Sequence, residues 1–364
     1  MVTEQEHRTI ACPGYTAHVG VGLLARVGDI ARKSAPAHRY VVVTDHTVGE
    51  RYAAAVVEAL GGDVPVLAIP PGEAEKSRAR WADLTDQLLA LGCGRDSAIV
   101  ALGGGVVGDL AGFVAATYLR GVPYVQVPTT LLAMVDASVG GKTAVDVPAG
   151  KNLVGAFHPP SAVVADVLTL HTLPNPDLRA GLAEVLKHGV VADAGYFDDA
   201  VAALPAIIAR RGSLDVLVDL VARSVAIKAG VVTQDPTEQG RRKTLNFGHT
   251  LGHAVEQLSG YRLRHGEAVA IGMHLEARLA ERLGIAEPGT AARIAATLEL
   301  AGLPRAVPGE MTPHEVLAAT RSDKKARAGR VTYALPRRVG VMDEAEGAWA
   351  TPVADEDVLA VLAG

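Results

Sequence analysis

The chain has 364 residues, a formal net charge of −5, and 49% apolar residues with few aromatics among them. Its length fits two domains around a large buried core, and its acidic balance argues against a nucleic-acid binder, which carries a basic face. Its two cysteines, Cys12 and Cys93, are too few for a disulfide framework, so a reducing, cytoplasmic setting is the expectation.

The opening MVTEQEHRTI is polar and has no apolar signal core. Residues 39–45 (RYVVVTD) read as a strand, residues 50–60 as a helix and residues 65–69 as a second strand. A helix over 77–91, a strand over 97–102 and a strand over 124–128 (YVQVP) follow. This alternation predicts a parallel sheet flanked by helices. The longest apolar stretch, 97–119, is broken by three glycines and Asp109, so it reads as strand, loop and helix rather than a membrane span.

Within DSAIVALGGGVVGD (residues 96–109), Gly103, Gly105 and Gly108 satisfy G-x-G-x-x-G at a strand-to-helix turn. Missing side chains let backbone N–H groups and a helix N-terminus approach a pyrophosphate. The loop is not in the first βα unit and no acid follows at the usual spacing, so a standard Rossmann reading fits poorly. A tight structural turn is the plain alternative. Asp45, at the end of the first strand, could accept ribose hydroxyls. Glu73 and Lys76 in PGEAEK could contact the same ribose or the base. Each of the three also suits an ordinary helix cap or loop charge.

Residues 127–143 (VPTTLLAMVDASVGGKT) are mostly apolar yet carry Asp136, and Lys142 follows Gly140 and Gly141. A lysine leaving such a turn can meet an anion closely. The Walker spacing fails because Asp136 stands where its first glycine belongs. Lys151 and Asn152 follow in GKNLVGAF. The apolar neighbours of Lys142 and Lys151 argue against simple surface solvation.

From about Thr172 the pattern turns helical: residues 178–190, 213–234, 244–258, 267–283 and 290–300, with one strand-like run over 330–335. The turn-rich TLPNPD near residues 173–176 marks the boundary. The expected domains are an α/β nucleotide-binding domain over 1–173 and an all-α, metal- and substrate-binding domain over 174–364. His249 and His253 are spaced i, i+4 on one helical face, and His265 begins another helix. Glu184, Lys187 and His188 share a face upstream. A carboxylate with two imidazoles is a common open zinc set, but spacing alone does not choose among His188, His249, His253 and His265. No H-E-x-x-H occurs, which excludes a zincin-type protease. Lys228, Arg242, Lys324, Lys325, Arg120 and Lys142 together suggest a substrate with both carboxylate and phosphate.

The motifs GGGVVGD, RGVPYVQVPTTLLAMVDASVGGKTAVD, GKNLVGAF, GLAEVLKHG, LNFGHTLGHAVE, LRHGEAVAIGM and DKKARAGRVTYALP occur in that order between about residues 95 and 336. In this series the chain resembles the 3-dehydroquinate synthases of the sugar phosphate cyclase superfamily. The resemblance implies a homodimer that uses NAD with Zn²⁺ or Co²⁺ and binds neither nucleic acid nor membrane. It implies Glu184, His249 and His265 as metal ligands, with His253 contacting substrate instead. Lys142, Asn246 and either Lys324 or Lys325 would hold the phosphate, helped by Arg120 of the partner copy. Lys228 and Arg242 would bind the carboxylate; Asp136, Lys187 and Asn152 would contact ring hydroxyls. Cofactor contacts would come from Asp45, Glu73, Lys76, Gly104, Gly105, Asp109, Thr129, Thr130, Lys151, Thr172 and Leu173. The chain departs from the family at His188, where tyrosine is common.

The implied activity, that of a phosphate-eliminating lyase, converts 3-deoxy-D-arabino-heptulosonate 7-phosphate into 3-dehydroquinate. Transient oxidation at C5 acidifies the neighbouring C–H, phosphate leaves by β-elimination, the hydride returns, and an intramolecular aldol step closes the ring. Competing readings are an aminodehydroquinate synthase or another sugar phosphate cyclase of secondary metabolism, a metal- and NAD-dependent polyol dehydrogenase, and a non-catalytic homologue. Retention of the polar set argues against the last, and Lys187, Lys228, Arg242 and His253 favour dehydroquinate.

Overall fold

Short β-branched runs separated by helices build a seven-stranded sheet in the first half of the chain. The computed structural model describes residues 7–321 and 331–364. Contacts divide the chain into two units, residues 1–173 with 213–229, and residues 174–212 with 230–364.

The first unit opens with a hairpin, β1 (His7–Cys12) and β2 (Tyr15–Gly20), followed by α1 (Val27–Ser34). Then come β3 (Arg39–Asp45), α2 (His46–Leu60), β4 (Val66–Ile69), α3 (Arg78–Ala90), β5 (Ser97–Gly103), α4 (Gly105–Thr117) and β6 (Tyr124–Pro128). A separate antiparallel hairpin, β7 (Lys142–Val147) with β8 (Gly150–Phe157), precedes β9 (Ala162–Asp166). The sheet order is β1-β2-β9-β6-β5-β3-β4, parallel throughout except for β1 with β2.

Side-chain alternation with period two splits this unit's core into two layers. Val42, Val100, Leu102, Val125 and Val164 pack with α1 and α2 residues such as Val27, Val56 and Leu60. Val41, Val43, Ile99 and Ala101 pack with α3 and α4 residues such as Leu84, Leu88, Leu110 and Val114. From β3 the chain moves to β4 on one side, then crosses to β5 on the other and continues to β6. The strand order therefore reverses between β3 and β5. Sheets of this kind bind ligands beyond the carboxyl ends of such a pair. Asp45 ends β3 and Gly103 ends β5, so both lie at that crevice.

The second unit is helical: α5 (Asn175–Ala192), α6 (Ala194–Ile208), the end of α7 (Leu214–Gln234), α8 (His249–Leu258), α9 (His265–Arg282), α10 (Thr290–Leu300), α11 (Pro313–Thr320) and α12 (Asp355–Leu362). Two small ribbons accompany the helices, β10 (Thr332–Tyr333) with β13 (Thr351–Pro352) and β11 (Pro336–Arg338) with β12 (Val341–Met342). Among the described residues no helix is long and apolar enough to cross a membrane.

Backbone-to-backbone approach sets the spacing of α5, α8 and α9. A β-carbon on Gly266 would lie 2.0 Å from the Ala180 carbonyl oxygen, and one on Gly272 would lie 1.9 Å from that of Gly248. Only glycine permits either approach.

Several elements differ from the sequence reading. The helix expected over 244–258 is broken. Residues Arg241–Asn246 form a 3₁₀ turn, and Gly248, with φ of 78°, starts α8 afresh. Of the strand expected over 330–335, Thr332–Tyr333 is strand. The hairpin β7–β8 covers residues 142–157, where no strand was expected.

Gly272→Ala should force α8 and α9 apart and lower unfolding stability by about 2 kcal/mol or more, the cost of overpacking a close core. Thermal and urea melts of the variant check this.

Candidate functional site

In the first unit the glycine loop leaves β5 directly into α4. Gly104 is the N-cap of α4 and Gly105 its first residue. The first N–H groups of a helix have no intrahelical acceptor, so this end favours an anion. A β-carbon on Gly104 would come within 3.1 Å of Thr130 Cγ2, so the loop is fitted closely against the β6 end. There Thr129 donates its N–H to the Gly103 carbonyl at 3.0 Å. Thr129 is buried, and its Oγ1 has no hydrogen-bond partner among the described residues. Such a buried hydroxyl is normally satisfied, and a polar ligand in the crevice would do so. Thr130 Oγ1 accepts from the Ala133 N–H at 3.2 Å.

Asp45 caps α2, its Oδ1 accepting from the Val48 N–H at 3.0 Å. Thr172 Oγ1 lies 2.5 Å from the Tyr52 hydroxyl of the same helix, so Thr172 and Leu173 are held near α2. Lys76 is buried and bonds Asp109 Oδ2 at 2.7 Å. Glu73 Oε1 stands 3.8 Å from Lys76 Nζ and 3.3 Å from Lys151 Nζ. Asp146 joins this network: its N–H donates to the Lys76 carbonyl at 2.7 Å, and its Oδ1 accepts from the Asn152 N–H at 2.8 Å. Burial alone would lower the Lys76 ammonium pKa, but Asp109, Glu73 and Asp146 outweigh it and raise it. Lys76 is therefore a fixed positive charge.

Asp136 sits in a single π-helical turn, Ala133–Ala137. Such a turn bulges the backbone and often marks a functional position. Lys228, buried on α7, donates to the Asp136 carbonyl at 2.6 Å and to its carboxylate at 2.7 Å. Lys142 opens β7 and is exposed. Arg120 is also exposed, in a turn where Leu119 and Arg120 both have positive φ. It lies beyond the far end of α4, roughly 18 Å along the helix from Gly105 at 1.5 Å per residue.

In the second unit α5, α8 and α9 bring Glu184, His249, His253 and His265 together. Glu184 is fully buried. Its Oε1 lies 3.6 Å from His249 Nε2 and 3.4 Å from His265 Nε2. A tetrahedral zinc with bonds near 2.05 Å separates its ligand atoms by about 3.3–3.4 Å, so this spacing suits a shared cation. The opposite ring nitrogens are committed elsewhere. His249 Nδ1 faces the Phe247 carbonyl at 3.1 Å and His265 Nδ1 faces a Glu256 carboxylate oxygen at 3.3 Å. Those acceptors assign the proton to Nδ1 and leave Nε2 to coordinate. Lys187, on the next turn of α5, forms an ion pair with Glu184, its Nζ 2.5 Å from Oε2. Burial would lower the His265 pKa, but Glu184 and Glu256 outweigh it and raise it to about 10. The pocket thus draws one positive charge between carboxylate and imidazole.

His253 is half-buried beside this group, its ring centroid 5.2 Å from that of His249 and 5.7 Å from that of His265. One nitrogen from each of the three histidines falls within 4.8 Å of the others, so a three-imidazole set is also geometrically open. His188, on α5, is buried.

Arg242 and Asn246 lie on the 3₁₀ turn before α8. Arg242 is buried and its Nη1 donates to the Pro236 carbonyl at 2.6 Å. Asp235 ties the preceding loop by accepting from the N–H groups of Gln239, Gly240 and Arg242 at 3.0, 2.7 and 3.0 Å. Burial would raise its carboxyl pKa, but those donors hold it below the usual range. Asn246 Nδ2 donates to Glu238 Oε1 at 2.7 Å. Lys324 and Lys325 lie outside the described residues.

Two acids that the sequence reading passed over shape this centre. Glu256 faces His265. Glu276, fully buried on α9, accepts from the N–H groups of Gly248 and Leu251 at 2.7 and 3.0 Å and so caps α8 at its His249 end. A carboxylate at a helix N-terminus is favoured by the free donors there. The available signal was an acid on an otherwise apolar helical face.

Residues 66–180 match the 3-dehydroquinate synthase N-terminal family and residues 181–326 the 3-dehydroquinate synthase C-terminal family. The chain belongs to the 3-dehydroquinate synthase family. The 3-dehydroquinate synthase of Symbiobacterium thermophilum is 48% identical over 331 residues, spanning 90% of this chain and 92% of that one. That of Xanthomonas axonopodis pv. citri is 44% identical, with all of both chains covered. Among solved structures, 2-deoxy-scyllo-inosose synthase complexed with carbaglucose-6-phosphate, NAD⁺ and Co²⁺ superposes with a TM-score of 0.89 at 26% identity, covering 98% and 99% of the two chains. A 2-epi-5-epi-valiolone synthase from Streptomyces hygroscopicus with NAD⁺ and Zn²⁺ bound gives 0.86 at 31%, covering 98% of each. These neighbours bear out the expected architecture, a parallel α/β sheet followed by a helical region. A probable glycerol dehydrogenase from Sinorhizobium meliloti, at 0.66 and 16%, shares the fold alone.

Lys76→Met should leave Asp109 without its cation and lower stability by about 2–3 kcal/mol. That is somewhat under the cost of breaking a fully buried pair, since Asp109 keeps some exposure. Urea unfolding of the variant beside the parent measures it.

Proposed function

We propose that the chain is a 3-dehydroquinate synthase, a carbon–oxygen lyase that converts 3-deoxy-D-arabino-heptulosonate 7-phosphate to 3-dehydroquinate and inorganic phosphate. The observation that carries this reading is the buried Glu184 carboxylate faced by two imidazole Nε2 atoms at the spacing of a tetrahedral cation. Relatives named 3-dehydroquinate synthase are 44–48% identical, against 26% and 31% for the inosose and valiolone cyclases, which favours the dehydroquinate product.

Glu184, His249 and His265 would hold the divalent ion, Zn²⁺ or Co²⁺. The end of β3, the glycine loop, Thr129, Thr130 and the Lys76–Asp109 network would hold the dinucleotide. When bound, NAD⁺ would take up and return a hydride, and the metal would polarise the oxygen at the carbon being oxidised. The protein's own residues do the rest by binding and orientation. Arg242, fixed by the Pro236 carbonyl, and Lys228 would grip the substrate carboxylate. Asn246, Lys142 and a lysine of residues 324–325 would grip the phosphate, with His253 close by. Asp136, Asn152 and Lys187 would contact ring hydroxyls. Arg120 would reach the phosphate from a partner copy in a homodimer.

The reaction has no net redox change. With substrate and NAD⁺ supplied, phosphate should be released without accumulation of NADH. A chelator should stop release, and Zn²⁺ or Co²⁺ should restore it. Accumulating NADH without phosphate would instead indicate a polyol dehydrogenase. Arg242→Ala should raise KM about tenfold or more, matching the roughly 1.5 kcal/mol of one charge-assisted hydrogen bond; an unchanged KM would remove Arg242 from carboxylate binding.

A further inference from the structure

Helix α8 projects His249, His253 and Glu256 at i, i+4 and i+7, a single stripe along one face. The first of these turns its Nε2 toward Glu184. The last turns a carboxylate oxygen toward Nδ1 of His265, 3.3 Å away on the first residue of α9. Glu256 is buried, so its ionised form is costly unless a positive group stands nearby.

The backbone around it is fastened. The Glu256 carbonyl accepts from Ser259 Oγ at 2.7 Å and from the Tyr261 N–H at 3.1 Å. Gly260 and Tyr261 both take left-handed φ there, 62° and 60°, and turn the chain from α8 into α9. Arg264, the residue before His265, bonds Asp177 on α5 at 2.9 Å. The ring of His265 is therefore presented from a stapled turn, with Glu256 behind it and Glu184 in front.

The two imidazoles are supported unequally. His249 leans on a neutral carbonyl, that of Phe247, whereas His265 leans on a carboxylate. A charged acceptor makes the stronger hydrogen bond and adds electron density to the far nitrogen. It also supplies a second negative charge to offset a divalent ion in a buried site.

We propose that Glu256 is a positioning residue for the metal centre: it holds His265 in the Nδ1–H tautomer and orientation that present Nε2 to the cation, and so sets how tightly the cation is kept. This rests on the metal-dependent reading above, and its test separates the two.

The test is Co²⁺ binding to the metal-stripped full-length protein, followed by the visible absorption of bound cobalt and by competition with a chelator. Circular dichroism and the thermal midpoint of the apo forms run alongside. Glu256→Gln keeps the shape and an amide oxygen facing Nδ1 but removes the charge. It should weaken Co²⁺ binding about tenfold and alter the cobalt spectrum while the apo midpoint stays near the parent's. Glu256→Ala removes the acceptor altogether and should weaken binding by up to about 100-fold, the range for lost outer-shell partners. Binding by both variants within twofold of the parent, with the parent's spectrum, would overturn the role of Glu256 while leaving the metal centre standing. A parent protein that takes up no Co²⁺ would overturn both. If Glu256→Ala fails to fold, the affinity and spectrum of Glu256→Gln decide alone.

Discussion

A carboxylate with no exposure to water faces two imidazole nitrogens, and the helical unit is arranged around that contact. Buried ionised groups are costly unless paired or bound to metal. Glu184 meets the requirement on both oxygens: the Lys187 ammonium pairs with one, and His249 and His265 stand around the other. The arrangement needs α5, α8 and α9 at close quarters, which explains the glycines where these helices approach. It also needs α8 to begin at His249, and Glu276 and Gly248 fix that start. Packing, capping and ligand geometry here serve the same few atoms.

The sheet unit solves a different problem with similar means. Reversal of strand order between β3 and β5 opens a crevice at their carboxyl ends, and the glycine loop brings helix donors to it. A buried lysine–aspartate pair, Lys76 with Asp109, fixes charge beside α4. A second pair, Lys228 with Asp136, ties the π turn to α7. Both pairs join segments distant in sequence. They keep cationic groups ordered before any ligand arrives, which is the preorganisation that phosphate and carboxylate recognition uses.

Much of this was legible in the sequence because it rests on local pattern. The strand-to-helix glycine turn at residues 103–105 follows from spacing alone, and so does the common face of His249 and His253. What was missed depends on partners far away in the chain. The β7–β8 hairpin was not anticipated, because its antiparallel pairing is visible only in space. The break at Gly248 was hidden because helical periodicity continues across it, while the close fit of Gly248 against Met273 and Val269 is visible only once α9 is packed. Glu256 and Glu276 look like ordinary helix acids until α9 is packed on α8. The i, i+4 pattern equally could not say whether His253 or Glu184 completes the set, since Glu184 comes from a helix more than sixty residues earlier.

The central claim is that Glu184, His249 and His265 together hold one divalent cation. Crystals grown with Co²⁺ and measured at the cobalt absorption edge test it most directly. The account predicts a single strong anomalous peak in this unit, bonded to Glu184 Oε1 and to Nε2 of His249 and His265. A cation held by His249, His253 and His265 with Glu184 turned away, or no peak at all, would contradict it.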